Sequence, residues 1–297
     1  MTFLPRRDLF LALLVVLIWG AHFFVIKAVV HELDPLVALT IRFGITALIY
    51  VPFMGQVDRQ TFLKIAEIGV FMGVVHQALL FIGLQKLDAA SVSVLMQSQT
   101  IFALLLGWWL LKERFRWRTS LGLLISFIGL IVMLGVPDVA NSPGGFMITM
   151  ASSLALSFSY IRMRQLPTVS PGTFIAIVNL ASFPLAGLSS FVFSAKGSWA
   201  HVPDANWYVI SAVLAYQVFV VSVSHFIWQR LLSRNEVAKV TCFTLLTPVI
   251  ALSIAAAMGT HISMPLILGT VLILAGLGVV ILRRVQKQQD APIVMVE

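Results

Sequence analysis

A single cysteine, Cys242, stands in a chain of 297 residues, which excludes an intrachain disulfide; its place inside an apolar run says little about redox compartment. Charge is also scarce. Only 11% of the residues are Asp, Glu, Lys or Arg, where a soluble domain carries about 25%. With 59% hydrophobic residues and a mean hydropathy of +0.98, the composition excludes a soluble globular domain and indicates an integral membrane protein. Neither H-E-x-x-H nor G-x-S-x-G occurs, no pair of carboxylates lies in the middle of an apolar run, and Cys242 has no obvious base. These absences argue against a membrane enzyme, and no catalytic residue, metal or cofactor is implied. A net charge of +8 would suggest nucleic acid in a soluble protein. Here the basic residues sit in short turns between apolar runs, so the charge speaks of membrane orientation and of no nucleic-acid partner.

What is abundant is long apolar sequence. A helix needs about 20 apolar residues to cross the hydrocarbon core, and by that measure the chain holds ten spans, near 9–30, 35–54, 62–84, 89–111, 118–136, 144–163, 171–193, 206–229, 237–258 and 264–282. The first follows Arg6 and Arg7 as a signal peptide would. It is too long for one, carries Lys27 near its far end and lacks a small-residue cleavage site, so it is expected to remain as a helix. With ten spans, sixteen Lys and Arg residues fall on the side of the N-terminus (Arg6, Arg7, Arg59, Lys64, Lys112, Arg114, Arg116, Arg118, Arg162, Arg164, Arg230, Arg234, Lys239, Arg283, Arg284, Lys287). Two, Lys86 and Lys196, fall on the other, and Lys27 and Arg42 lie within spans. That bias predicts that both termini are cytoplasmic.

The chain repeats itself. The stretch from Leu87 to Leu134 is echoed from Glu236 to Leu282: Gly122 falls on Gly269 and Gly129 on Gly276 at an offset of 147, Thr100 on Pro248 and Ala103 on Ala251 at 148. Two repeats follow, residues 1–137 and 138–297, together one membrane domain. Five spans per repeat is odd, so the second copy starts on the opposite side and the repeats are inverted, the arrangement from which secondary transporters build alternating gates. The expected fold is an all-α polytopic membrane protein of ten transmembrane helices in two inverted five-helix repeats.

Polar groups near the bilayer centre mark sites, because they need partners or water. The candidates for contact with a small-molecule substrate are Trp19, His22, Arg42, His76, Gln77, Gln97, Gln99, Tyr160, Gln217 and Thr247. Arg42 has no acidic partner at its depth, which leaves a substrate carboxylate, a water-filled cavity or backbone carbonyls. Gln97 and Gln99 are about 200° apart on a helix, so one faces substrate or water while the other bonds a neighbouring helix. His22 and His76 could exchange protons as the coupling ion, or bond across two helices as neutral imidazoles. His225 sits nearer the cytoplasmic end and is the weaker case. Trp19 is central, so its indole N–H needs a partner inside the protein, and Tyr160 and Tyr216 are of the same kind. Lys27 is expected to snorkel outward. Trp108, Trp109, Trp117, Trp207 and Tyr208 read as interface anchors. The small residues Gly122, Ser126 and Gly129 match Gly269 and Gly276, predicting close packing of the fifth and tenth spans against each other or against a second copy, in a monomer or weak homodimer.

At this level the chain resembles a family. Leu11 to Lys27 with Arg42 is similar to the start of the EamA-type drug/metabolite transporters, and within them to the O-acetylserine/cysteine exporter branch. Ser93 to Gln99, the span around Gly107 and Glu113-Arg114 match the family's fourth helix and exit turn. Trp228, Ser233 to Glu236 and Leu245 to Pro248 match the second-half counterpart. The resemblance covers the whole chain and implies ten helices in two inverted repeats in a bacterial inner membrane, exporting amino acids or related metabolites. Three places depart from it: His22 replaces an asparagine of the cysteine-exporting relatives, Ser159-Tyr160 a Trp-containing motif, and Gly259-Thr260-His261 the second charged exit turn. Drugs, aromatic compounds or other metabolites stay open as cargo, and a channel is the alternative of a different class.

Overall fold

The computed structural model describes residues 4–112, 117–163, 165–167, 169–235, 240 and 242–289. Arg114, Arg116, Arg164, Glu236 and Lys239 lie outside the described residues, as do the side chains of Arg118, Cys242, Arg283, Arg284 and Lys287. All the regular structure described is helical, with no strand among the described residues. We number as one helix any run broken only by a π or 3₁₀ stretch: α1 Arg6–Glu32, α2 Pro35–Tyr50, α3 Arg59–Lys86, α4 Ala89–Leu110, α5 Trp117–Met133, α6 Pro143–Met163 and α7 Pro171–Phe193. Next come α8, which starts at Trp207 and runs to Arg234, α9, which runs from Cys242 to Ala257, and α10 Met264–Gln289.

Seven of these, α1 to α4 and α6 to α8, are long and apolar enough to cross a membrane. The apolar parts of the others, Thr119–Met133, Phe243–Ala257 and Met264–Val279, are shorter. The first of these covers only about 22 Å at 1.5 Å per residue.

Local chemistry sets the helix ends. Asp34 accepts from the N–H groups of Leu36 and Val37 while Pro35 opens α2, and Ser170 and Pro171 do the same for α7. Asp58 caps α3; hydrogen bonds from the Thr61 hydroxyl and N–H hold its carboxyl below the usual range. The connection after α5 contains a short helix, Pro137–Asn141, because Pro137 occupies N1 and Asp138 complements the helix N-terminus. Pro184 does not break α7, and Arg162 sits in the last turn of α6.

Packing follows the small residues. α5 lies against α10, as α2 does against α7; α1 contacts α8 and α9, while α6 contacts α3 and α4. A Cβ on Gly129 would meet the Ile273 nitrogen at 2.8 Å and the Gly269 carbonyl at 3.0 Å, so the small face of α5 meets that of α10 within one chain. Gly20 lets α1 approach α9, since a Cβ there would sit 3.0 Å from the Thr247 carbonyl.

Two helices carry a π stretch at mid-length, Gly69–His76 in α3 and Tyr216–Val221 in α8. One is interrupted, α4 between Leu95 and Ser98, where i→i+3 bonds replace the α pattern, and α9 opens with the 3₁₀ turn Cys242–Leu245. The π stretches begin 147 residues apart, and the α-helical parts that start at Ser98 and Leu246 begin 148 apart.

Close packing at Gly129 predicts that Gly129→Val lowers the melting temperature of the detergent-purified protein, at a cost of about 1–3 kcal/mol for overpacking. Gly144→Ala, where nothing lies within 4 Å, should leave it near wild type.

Candidate functional site

The site is built where the regular helices fail. A π turn widens the helix and re-aims its side chains. In α3 the π stretch ends at His76, whose Nδ1 lies 2.8 Å from Ser152 Oγ and 3.1 Å from the Ser152 carbonyl. Ser152 Oγ donates in turn to the His76 carbonyl at 2.9 Å, so this imidazole is buried and pinned to α6. Neighbouring serines extend the tie: Ser153 bonds Ser98 at 2.6 Å, and Ser157 donates at 2.6 Å to the Gln99 carbonyl beside the α4 break. A break in a membrane helix frees backbone groups, and this serine face satisfies one of them.

Facing this, α1 and α8 form an aromatic wall. Trp19 Nε1 donates to Ser224 Oγ at 2.9 Å, and its ring lies 5.4 Å from that of His225 and 5.0 Å from that of Trp228. His22 stacks on Tyr216 at 6.0 Å, and the Tyr216 hydroxyl donates to the Ile18 carbonyl. Arg42 lies over the Phe43 ring at 5.5 Å. Arg42, His76 and His225 are all within electrostatic range of His22, so three imidazoles and one guanidinium share one field.

The ten sequence candidates fare differently. Trp19, His22 and Arg42 are half-buried and belong to this cluster. His76 joins it as a tied group. Gln97 is buried at the α4 break, while Thr247 is buried at the start of the regular part of α9, and neither shows a side-chain hydrogen bond. Gln77, Gln99 and Gln217 each present a buried Oε1 with no hydrogen-bond partner among the described residues, and His22 Nδ1 and Arg42 Nη1 are buried and unpartnered in the same sense. Tyr160 keeps 41% of its surface exposed and is not drawn into the cluster by any contact shown. Lys27 does not snorkel freely: its Nζ bonds the Leu87 carbonyl at 2.8 Å and Asp88 at 3.1 Å. Asp138 then accepts from the Asp88 N–H and the Ser91 hydroxyl, so α1, α4 and the short helix close together at that end. At the other end Arg162 pairs with Glu67 at 2.7 Å, and Asn235 with Asp8 at 2.8 Å.

Sequence reasoning missed the serines of α6 and Ser224, and did not place the His225 ring beside Trp19. The run Thr149, Ser152, Ser153 and Ser157 was legible as one helical face.

Residues 7–135 match the profile of the EamA-like transporter family. The chain carries an EamA transporter domain. It is 29% identical over 288 residues to a protein of Salmonella typhimurium called "Probable amino-acid metabolite efflux pump", covering 92% of this chain and 94% of that one. A protein of the same name from Escherichia coli is 27% identical over 92% of this chain and 94% of its own. An uncharacterized transporter of Archaeoglobus fulgidus is 25% identical over 91% of this chain and 97% of its own. A solved crystal structure superposes with a TM-score of 0.58 at 17% identity, over 93% of this chain and 98% of that one, a likeness of fold. The EamA domain and these relatives make the chain a membrane-embedded transporter and no enzyme, and its substrate a small molecule.

Removing the α6 tie should be costly. Ser152→Ala leaves His76 Nδ1 without the hydroxyl and should lower stability by about 1–3 kcal/mol, read as a melting shift in detergent. Ser159→Ala, which removes only a bond to the Ala155 carbonyl within its own helix, should shift it much less.

Proposed function

We propose that this EamA transporter exports an amino acid or amino-acid derivative across a bacterial inner membrane by alternating access. The observation that carries the reading is the set of buried polar atoms without partners among the described residues. Arg42 Nη1 is a charged donor; Gln77, Gln99 and Gln217 Oε1 are acceptors. Each unpaired atom of this kind costs about 1–3 kcal/mol unless a ligand or water meets it. A zwitterion supplies both complements, a carboxylate for the guanidinium and ammonium hydrogens for amide oxygens. In this reading the substrate-binding residues are Trp19, His22, Arg42, His76, Gln77, Gln97, Gln99, Tyr160, Gln217 and Thr247. The names of the bacterial relatives favour the same cargo class.

Alternating access rests on two inverted repeats of five helices, 1–137 and 138–297. Three features support them. α5·α10 and α2·α7 are self-paired, and α1 with α8 and α9 mirrors α6 with α3 and α4. The π stretches and the α-helical parts that start at Ser98 and Leu246 also fall at the repeat offsets read from the sequence. The positive-inside bias puts both termini in the cytoplasm. In that orientation the Lys27–Asp88–Asp138 contacts close the outer end, and the exposed Tyr160 and His225 sit on the cytoplasmic side of the site. Protons are the candidate coupling ion.

Counterflow in proteoliposomes tests the cargo, with labelled cysteine, O-acetylserine, threonine and an aromatic amino acid. Saturable exchange of at least one is expected. Arg42→Gln should lose most of it, as should methyl-esterified cargo with the wild-type protein. Exchange of ester and free acid at equal rates would contradict carboxylate recognition, and exchange of none would pass first place to drugs or other metabolites.

A further inference from the structure

We propose that His225 is where proton and cargo exclude each other: its Nε2 accepts a hydrogen bond from the cargo's ammonium group when bare and refuses it when protonated. This deepens the transport reading above and rests on it.

The geometry selects His225 from the three imidazoles. Its Nδ1 lies 2.8 Å from the Val221 carbonyl. A carbonyl only accepts, so Nδ1 carries the hydrogen and Nε2 holds the lone pair. The ring is on the inward face of α8, in line with Gln217, Val221 and Trp228, and lies 5.4 Å from Trp19 of α1. It is nevertheless exposed, so its neighbours do not close over the ring. His76 lacks that freedom, being buried and bound to Ser152; the His22 ring is covered by Tyr216, with Nδ1 buried. Among the described residues, Arg42 on α2 and His22 on α1 act on His225 electrostatically, and His22 in turn feels His76 on α3. A zwitterion with its carboxylate at Arg42 therefore finds at His225 a neutral acceptor in an otherwise basic field.

The balance is simple. Cargo bound to the neutral imidazole leaves at the outer side; a proton then adds to the Nε2 lone pair, giving imidazolium, and is lost at the inner side before the next cargo binds. One proton enters for each zwitterion that leaves, so an inward proton gradient drives export.

The experiment is the pH dependence of cargo KM in counterflow, between about pH 5 and 8, where imidazole titrates. Wild type should show KM rising by up to tenfold per unit as the pH falls below the imidazole range. His225→Gln and His225→Asn keep a neutral acceptor, so both should exchange cargo with KM independent of pH, whereas His76→Gln should keep the wild-type slope whatever its rate. In weakly buffered detergent solution, cargo binding at acid pH should release protons from wild type and none from His225→Gln. A slope that survives in both His225 variants, loss of exchange in both while they remain folded, or no proton release from wild type would each overturn the proposal. A wild-type protein that exchanges no amino acid would remove the cargo reading and this proposal together; exchange with a surviving slope would remove this proposal alone.

Discussion

Inside a bilayer no solvent is at hand to satisfy a stray polar group, and the whole structure is arranged around that constraint. Many of the hydroxyl side chains in the helices tie helix to helix or to their own backbone. Ser152 holds His76, Ser153 holds Ser98, Ser157 takes the Gln99 carbonyl, and Ser224 takes the Trp19 indole. Thr40, Thr46, Ser159 and Thr270 bond back to their own helices. Against that thrift, the unpartnered atoms of His22, Arg42, Gln77, Gln99 and Gln217 stand out. Their natural complement is a ligand with both charges.

Backbone irregularity is placed with similar economy. The π stretches of α3 and α8, the break in α4 and the 3₁₀ opening of α9 lie in the helices that bear Gln77, Gln217, Gln97 and Thr247. Elsewhere the long helices run unbroken, even through Pro184. Rigid contact is kept at the periphery, where Gly129, Gly269 and Gly276 let α5 and α10 nearly touch. Firm outer pairs around a softened centre suit a protein whose central helices must move, which is how the alternating-access proposal reads the fold.

Much of the helical layout was legible because apolar runs and Asp-Pro or Ser-Pro starts are local signals, and seven membrane-length helices appear where such runs stand. The small-residue faces of α5 and α10 were legible too, since glycine spacing on a helix fixes a surface. Side-chain partners were not. His22 and His76 look alike in sequence, yet one stacks on Tyr216 and the other is wedged against Ser152. The depth of His225 along α8 made it look peripheral; the Ser224 bond to Trp19 and the ring contact to α1 turn it inward, and these depend on how two distant segments pack. Lys27 likewise found Asp88 across 61 residues, a pairing that no local pattern announces.

In the proposed orientation, water and cargo reach this polar layer from the cytoplasm. Replacing Cys242, the sole cysteine, by serine gives a background for single-cysteine variants. In inverted or permeabilised vesicles, a membrane-impermeant maleimide should label Tyr160→Cys, on the proposed cavity wall, and saturating cargo should slow that labelling. Leu188→Cys, on a side chain 63% exposed on α7 and turned toward lipid in this reading, should stay unlabelled. Equal failure of both to react, or labelling of Tyr160→Cys that cargo leaves unchanged, would contradict an accessible central site.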